Sequence, residues 1–485
     1  MLNNRTFDVV VVGNGVLGLS LALTLTRKKL KVALVGESHR PYAATTAAGA
    51  MLGTFGEVTA TLLKSKHGRL KHDFAVRARN LWDDWLAELE QEIGDADIVC
   101  ADGTIVMLNT VGLGEIDTAN YEAIRTSLQH YNEPFEDIDP VDIEWLDPET
   151  TSRPLRALYI PNEHAVDSNK LLDRLERAFI RLGGTLIHEK ASGLEYERGQ
   201  VNALVLSSNE RLISNRIVLA AGAKTQELLD SIPDVSARIP RLVSGYGVSA
   251  LVSTEDGTSP KSVIRTPNRA FACGLHIVPR QQGEVYVGAT NIISPQAVET
   301  PLLNDVTFLL DCAYRQIRRS LAKSRMSKLQ VGNRPVSLDG FPLLGETDLN
   351  GLFVMTGTYR DGLTLSPYLA REMAKLVCGE EMDTDLKEFQ PVRSPIQPMT
   401  RKETITEAID HMLATGYESD WRIPVEWKNI IEFNMYPSYE KYTAELDSQF
   451  TPPADLLAAS RVHTSIADML RHYYAAVRNE KSVGV

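Results

Sequence analysis

Gly13, Gly15 and Gly18 stand at G-x-G-x-x-G spacing in the run Gly-Asn-Gly-Val-Leu-Gly. The chemistry that this spacing serves is phosphate binding. The first glycine permits a tight turn, the second lets backbone approach a pyrophosphate, and the third lets a helix pack closely on a strand. The free N–H groups and partial positive charge of a helix N-terminus then face the phosphates. The setting, rather than the spacing alone, carries the signal. Val9 to Val12 predicts a buried parallel strand, Leu17 to Arg27 an apolar helix, and Lys31 to Val35 a second strand, a strand-helix-strand unit of about thirty residues. A dinucleotide site is expected here. The carboxylate that ends the second strand in such units, and holds the ribose hydroxyls, is displaced by one place. Gly36 occupies its position and Glu37 follows: either the strand ends in a slightly different register, with Glu37 the candidate ribose ligand, or another group binds the ribose.

Other reactive constellations are absent. The sequence has no G-x-S-x-G elbow and no His-Glu-x-x-His. Cys100, Cys273, Cys312 and Cys378 lie far apart with no paired metal spacing, which reads as buried or free thiols of a reducing compartment. A net charge of −12 argues against nucleic-acid binding, which needs a basic face. With 485 residues, 43% apolar and 24% charged, the chain predicts a globular protein of two or three domains. Val9 to Leu25 is apolar enough to imitate a signal peptide, but Asp8 interrupts its start and the glycines fall on the phosphate pattern. No other stretch is long enough to span a bilayer, and a soluble cytoplasmic protein is the expectation.

The elements that position these residues follow along the chain. Small residues run from Ala43 to Gly53 and allow backbone to lie against a flat ligand. Residues 70–92 and 119–130 predict helices, with strands around the Asp102-Gly103 turn between them. Arg156 to Ala165 predicts a strand and turn, Asp167 to Leu182 a capped helix, and Thr185 to Leu206 a strand-turn-strand around Arg198-Gly199. Arg216 to Ala223 reads as a buried strand ending in small residues. Strands dominate 240–295, helix 302–323, and a further strand 328–334. Gly340 to Gly345, Leu352 to Gly357 and a helix over 362–378 close the main body. Residues 380–485 carry Pro-rich junctions and predict several helices in a separate extension.

Taken together, residues 6–378 resemble the FAD-dependent D-amino acid oxidase superfamily, and within it the glycine oxidase and sarcosine oxidase branch. The ordered segments that carry the resemblance are the glycine unit, Thr45 to Gly53, Ile217 to Ala223, His276-Ile-Val-Pro-Arg280 with Val287-Gly-Ala-Thr290, Gly332-Asn-Arg-Pro335, Asp339 to Gly345, and Gly357-Thr-Tyr-Arg-Asp-Gly362. The resemblance implies an α/β fold: a Rossmann-type FAD-binding domain (1–60, 150–235 and 330–380), a β-rich substrate domain (61–149 and 236–329), and the helical extension 381–485.

It also implies non-covalent FAD, since the strand in which the sarcosine oxidase branch attaches its flavin through cysteine reads Gln330 to Pro335 here and contains none. The implied FAD contacts are Gly13, Gly15, Val16, Leu17, Gly18 and Glu37; Thr45, Thr46, Gly49 and Met51; Ala221 and Gly222; and Gly357, Arg360, Asp361, Gly362 and Leu363. The helix that follows Gly362 would stabilise negative charge on reduced flavin. Arg334 would clamp the substrate carboxylate, a planar and permanently charged fork being suited to two carboxylate oxygens; the alternative is a structural ion pair beside Pro335. Arg360 would stand near flavin and substrate, or else pair with Asp361. His276 replaces a tyrosine of the branch and is open to three roles: a hydrogen-bond donor to the carboxylate, a proton-transfer group near neutral pH, or a satisfied strand-end histidine. Val243-Ser-Gly-Tyr246 departs from the Arg-Gly-Gln usual there, and Gly49-Ala50 is swapped before Met51.

The implied activity is oxidation of the C–N bond of a small amine or amino acid, with oxygen reduced to hydrogen peroxide. Two alternatives are a dehydrogenase passing electrons to a quinone or protein, and a flavoprotein component of an assembly acting on a carrier-bound or peptide amine. The extension invites a homo-oligomer interface.

Overall fold

A computed structural model describes residues 4–95, 97–112, 114–269, 274–418, 421 and 423–483; Cys273 lies outside them. Its parallel sheet is built around Val9–Val12. Strands run in the order Leu343–Glu346, Leu352–Thr356, Ile217–Leu219, Val9–Val12, Val32–Val35 and Thr185–Ile187. All neighbours are parallel except the edge pair at Leu343–Glu346. Every residue of Val9–Val12, Val32–Val35 and Leu352–Thr356 is buried, the pattern of strands covered on both faces. Helix Val16–Arg27 packs against Gly362–Val377, which in turn packs on the long helix Lys66–Ile93. Ser65 starts that long helix by accepting from the Gly68 N–H, and Gly94 ends it in the left-handed region at φ 73°.

The predicted strand-turn-strand over Thr185 to Leu206 is shared between two sheets. Thr185–Ile187 edges the parallel sheet, whereas Ala191–Glu197 and Gln200–Leu206 form a hairpin in a separate four-stranded sheet. A larger sheet runs Ile292–Ser294, Leu242–Ser253, Glu284–Gly288, His276–Pro279, Val263–Arg265, Thr104–Asn109, Pro154–Ile160 and Glu136–Ile138, with Arg325–Ser337 paired along Leu242–Ser253. That last pairing sets Gly245 opposite Arg334 and Gly247 opposite Gly332.

The helical C-terminal extension expected from the sequence is present and packs on the large sheet. Helices Arg401–Glu418, Val425–Leu446, Ala454–Val462 and Thr464–Val483 share one apolar cluster with Val243, Ile293 and Val336 of the large sheet and with Leu338 just after it. The segment leading into them is locked by Arg393, whose guanidinium grips the buried Asp339 carboxylate with Nε and Nη2 at 2.8 and 2.7 Å. Among the described residues, no helix is long and apolar enough to cross a membrane.

Candidate active site

The end of Val9–Val12, the small-residue run and the strand Arg325–Ser337 enclose a cleft of about 1970 Å³ counting its open mouth. At one end the glycine turn forms a cradle. Gly13 has φ +112°, and a Cβ on it would stand 2.4 Å from the Ala220 carbonyl. A Cβ on Gly18 would stand 1.8 Å from the Gly13 carbonyl, so Gly18 holds the helix against the turn from behind and does not itself line the cleft. Gly15, by contrast, meets nothing closer than Thr45 Oγ1 at 3.5 Å and faces the opening with Val16 and Leu17. The helix that begins here has no side-chain cap and no acidic residue in its first turn. The Val16 N–H reaches Thr45 Oγ1 at 3.4 Å, and the positive end of the helix faces the opening, where an anion would sit.

The displaced acidic residue has a steric cause. A Cβ on Gly36 would stand 2.4 Å from Asn14 Cγ, and Asn14 Nδ2 donates to the Glu37 carbonyl at 3.0 Å. Asn14 fills the usual place, so the carboxylate comes one residue later. Glu37 lines the cleft and pairs with Lys224 Nζ at 2.9 Å.

Further along, Thr45, Gly49 and Met51 line the cleft from the small-residue run, opposite Ala221 and Gly222. Smallness is required there: a Cβ on Gly332 would come within 2.9 Å of Ala47 Cβ. Thr46 turns away, its hydroxyl donating to the Ala43 carbonyl at 3.0 Å. Gly362 and Leu363 line the cleft at the start of an uncapped helix. Asp361 and Gly357 do not. Asp361 pairs with Lys71 at 2.8 Å, and Gly357 supplies a left-handed turn at φ +73°.

The far end gathers the charged groups. Arg334, Arg360 and His276 all line it, with Glu57 and Arg265 beside them. Gly247 makes room for the Arg334 guanidinium, because a Cβ there would lie 2.5 Å from Nη1. Among the described residues the hydrogen bonds of Arg334 all run through Nη1, to the carbonyls of Gly245 and Thr290 at 3.4 and 3.1 Å and to Asn291 Oδ1 at 3.2 Å. His276 is buried, and its Nδ1 lies 2.9 Å from the Gly274 carbonyl. Its ring stacks on Tyr286 at 5.7 Å. Burial and the nearby Arg265 push it down to about 3. With Nδ1 turned to the Gly274 carbonyl, the neutral tautomer presents Nε2 as an acceptor.

The match to known proteins covers this same framework. Residues 8–376 fit the family model described as FAD dependent oxidoreductase. This chain belongs to that FAD-dependent oxidoreductase family. It is 26% identical over 400 residues to the bifunctional protein ThiO/ThiG of a Nostoc species, covering 81% of this chain and 56% of that protein. The chain thus spans little more than half the length of the ThiO/ThiG proteins. It is also 26% identical over 389 residues to a glycine oxidase of Pseudomonas aeruginosa, covering 79% of this chain and 98% of that one. The crystal structure of glycine oxidase from Geobacillus kaustophilus superposes with a TM-score of 0.68 at 24% identity, over 80% of this chain and 99% of the other. FAD is the family's cofactor, and the uncapped helix with its Gly13–Gly15 cradle fits the pyrophosphate of that dinucleotide.

Within this FAD-dependent oxidoreductase, several site residues escaped the sequence reading. Glu57 pairs with Arg265 Nη1 at 3.2 Å. Burial alone would raise its carboxyl, but Arg265, Arg360 and Arg334 outweigh burial and hold it below the usual range. Arg265 is fixed in turn by the Asn268 side chain at 2.7 Å and the Thr266 carbonyl at 3.2 Å. The buried Glu163 accepts from the N–H groups of Phe55 and Gly56, at 2.7 Å and 3.1 Å to Oε2, which fixes the turn that presents Glu57. Gly56 was the available signal, since a Cβ there would stand 2.6 Å from Glu163 Oε1. Tyr286 donates to the Ala47 carbonyl at 3.0 Å and Arg280 to the Gly49 carbonyl at 3.2 Å. Both pin the small-residue run.

Proposed function

We propose that this enzyme oxidises the C–N bond of a small amine or amino acid that carries a carboxylate. The observation that carries the reading is the Arg334 fork, anchored at Nη1 and facing the cleft. Its neighbours bear on the case: Arg265, Arg360 and the Glu57 carboxylate line the same end of the cleft, where an anionic substrate would sit. Bound FAD would supply the redox chemistry: hydride acceptance from the substrate carbon that bears nitrogen, and return of the two electrons to molecular oxygen as hydrogen peroxide. The resulting imine takes up water and separates into a carbonyl compound and an amine or ammonia. Arg334 contributes by holding the carboxylate, which fixes the α-carbon and removes rotational and translational freedom from the barrier. The neutral Nε2 of His276 accepts a hydrogen bond from the substrate amine rather than donating to its carboxylate.

The test is anaerobic mixing of the FAD-loaded enzyme with glycine, sarcosine and D- and L-amino acids, followed by air. Loss of the flavin absorbance with at least one of them, and its recovery in air with peroxide, is the expected result. No bleaching across the panel would sink the reading. We further expect FAD to be held without a covalent bond, because no cysteine lines the cleft among the described residues. Acid precipitation should leave all the yellow colour in the supernatant, and a yellow pellet would overturn that expectation. The free thiols of Cys100, Cys312 and Cys378 support a cytoplasmic setting.

A further inference from the structure

Family resemblance stops at residue 376, yet the extension beyond it reaches the charged end of the cleft. Asp455 stands in the first turn of helix Ala454–Val462 and is buried, 8% exposed. That helix lies against the strand Ile292–Ser294. One carboxylate oxygen of Asp455 accepts from the Leu456 N–H at 2.8 Å, and the carboxylate also bonds the Tyr359 hydroxyl. The same hydroxyl accepts from the Asn291 side-chain amide, so its single hydrogen points to Asp455. Asn291 Oδ1 in turn accepts from Arg334 Nη1 at 3.2 Å. Three hydrogen bonds therefore join the extension to the guanidinium.

Tyr359 is seated for this purpose from both sides. Its N–H donates to the Pro335 carbonyl at 3.1 Å, one residue from Arg334. Its ring fills a slot kept open by Gly245, where a Cβ would stand 2.8 Å from Tyr359 Cε2 and 3.4 Å from Asn291 Oδ1. This gives Gly245, in the segment that departs from the branch pattern, a physical reason. Tyr359 also holds φ +54°, a left-handed conformation that bulky residues adopt only when their surroundings over-determine it. Its ring packs against the extension's apolar cluster.

We propose that the extension completes the active site: Asp455 is a positioning residue that orients the Tyr359 hydroxyl and, through Asn291, aims the remaining N–H groups of Arg334 at the substrate carboxylate. The inference rests on the carboxylate-clamp reading above and assigns part of that clamp to residues outside the shared family framework.

The experiment uses the full-length, FAD-loaded enzyme and its Asp455→Leu, Asp455→Asn and Tyr359→Phe variants. The probe is glycolate, a carboxylate without an amine, read by perturbation of the flavin absorbance; KM and kcat are measured with whichever amine bleaches the wild type. Asp455→Leu and Tyr359→Phe are each expected to weaken glycolate binding and raise KM about tenfold, the scale of one lost charge-assisted hydrogen bond. FAD content should be unchanged and kcat less affected than KM. The double variant should be no worse than either single one, since both break the same chain. Asp455→Asn keeps an oxygen acceptor and should lie within about twofold of wild type. If Asp455→Leu does not fold, Tyr359→Phe keeps the ring and carries the comparison. Wild-type affinity for glycolate in both Tyr359→Phe and Asp455→Leu overturns the inference while leaving the clamp intact. A wild-type enzyme that binds no carboxylate overturns both.

Discussion

Replacing Arg334 by leucine is expected to lower kcat/KM on a carboxylated amine by about 10²- to 10⁴-fold, with FAD content unchanged. The magnitude follows from stranding an ionised carboxylate in a cleft walled by protein, a loss of about 3–5 kcal/mol, converted at about 1.4 kcal/mol per tenfold. Two controls make the result specific. Arg334→Lys keeps the charge but not the planar fork and should fall between wild type and Arg334→Leu. An amine lacking the carboxylate should lose far less on the same substitution, because the interaction removed never existed for it. Arg265 cannot stand in: its Nη2 is taken by Asn268 and its Nε by the Thr266 carbonyl, and Nη1 faces Glu57. Steady-state rates across the three enzymes and two substrates decide the matter, and equal efficiencies for wild type and Arg334→Leu on the carboxylated amine would refute the clamp.

What the sequence revealed, and what it hid, follows from the range over which each feature is determined. The glycine unit was legible because its chemistry is local. The turn, the uncapped helix and the close packing of Gly18 on Gly13 all arise within a short run. Arg334 was legible only through a motif, and nothing in Gly332 to Pro335 announces that Gly247, on a strand 87 positions earlier, clears the space for the guanidinium. Glu57 and Arg265 are separated by 208 positions, and each alone resembles an ordinary charged residue. Their pairing is a product of the fold. The state of His276 was likewise unreadable, because burial and neighbouring arginines set it. The Glu37 displacement looked like a register ambiguity until Asn14 was seen filling the space beside Gly36. Amphipathic helices present the same pattern whether they cover their own chain or a partner, which is why the extension read as separate.

Ending the chain after residue 380 is expected to abolish the folded, FAD-loaded protein rather than trim an appendage. Truncation uncovers Val243, Ile293, Val336 and Leu338, each no more than 7% exposed in the whole molecule. It also removes Arg393 from Asp339, which is 1% exposed and would be left as an unpaired buried carboxylate, costing about 3–5 kcal/mol by itself. Glu407 would leave Thr61, bonded at 2.8 Å, and Glu418 would leave the buried Arg269, paired at 2.5 Å. Against a typical domain stability of about 5–15 kcal/mol, that loss and the uncovered apolar surface together bring the total near the limit. Arg393→Met isolates the largest single contribution within the full-length chain, and should lower the melting temperature while leaving Arg334, Tyr359 and Asp455 in place. Thermal melts and bound-FAD absorbance on the truncated and point-substituted chains separate the two effects. A truncated chain that melts and holds FAD like the intact one would mean that the large sheet does not depend on its helical cover. An Arg393→Met enzyme that melts early yet keeps its KM would show that the extension stabilises the fold through Arg393 and touches the chemistry elsewhere, at the hydroxyl of Tyr359.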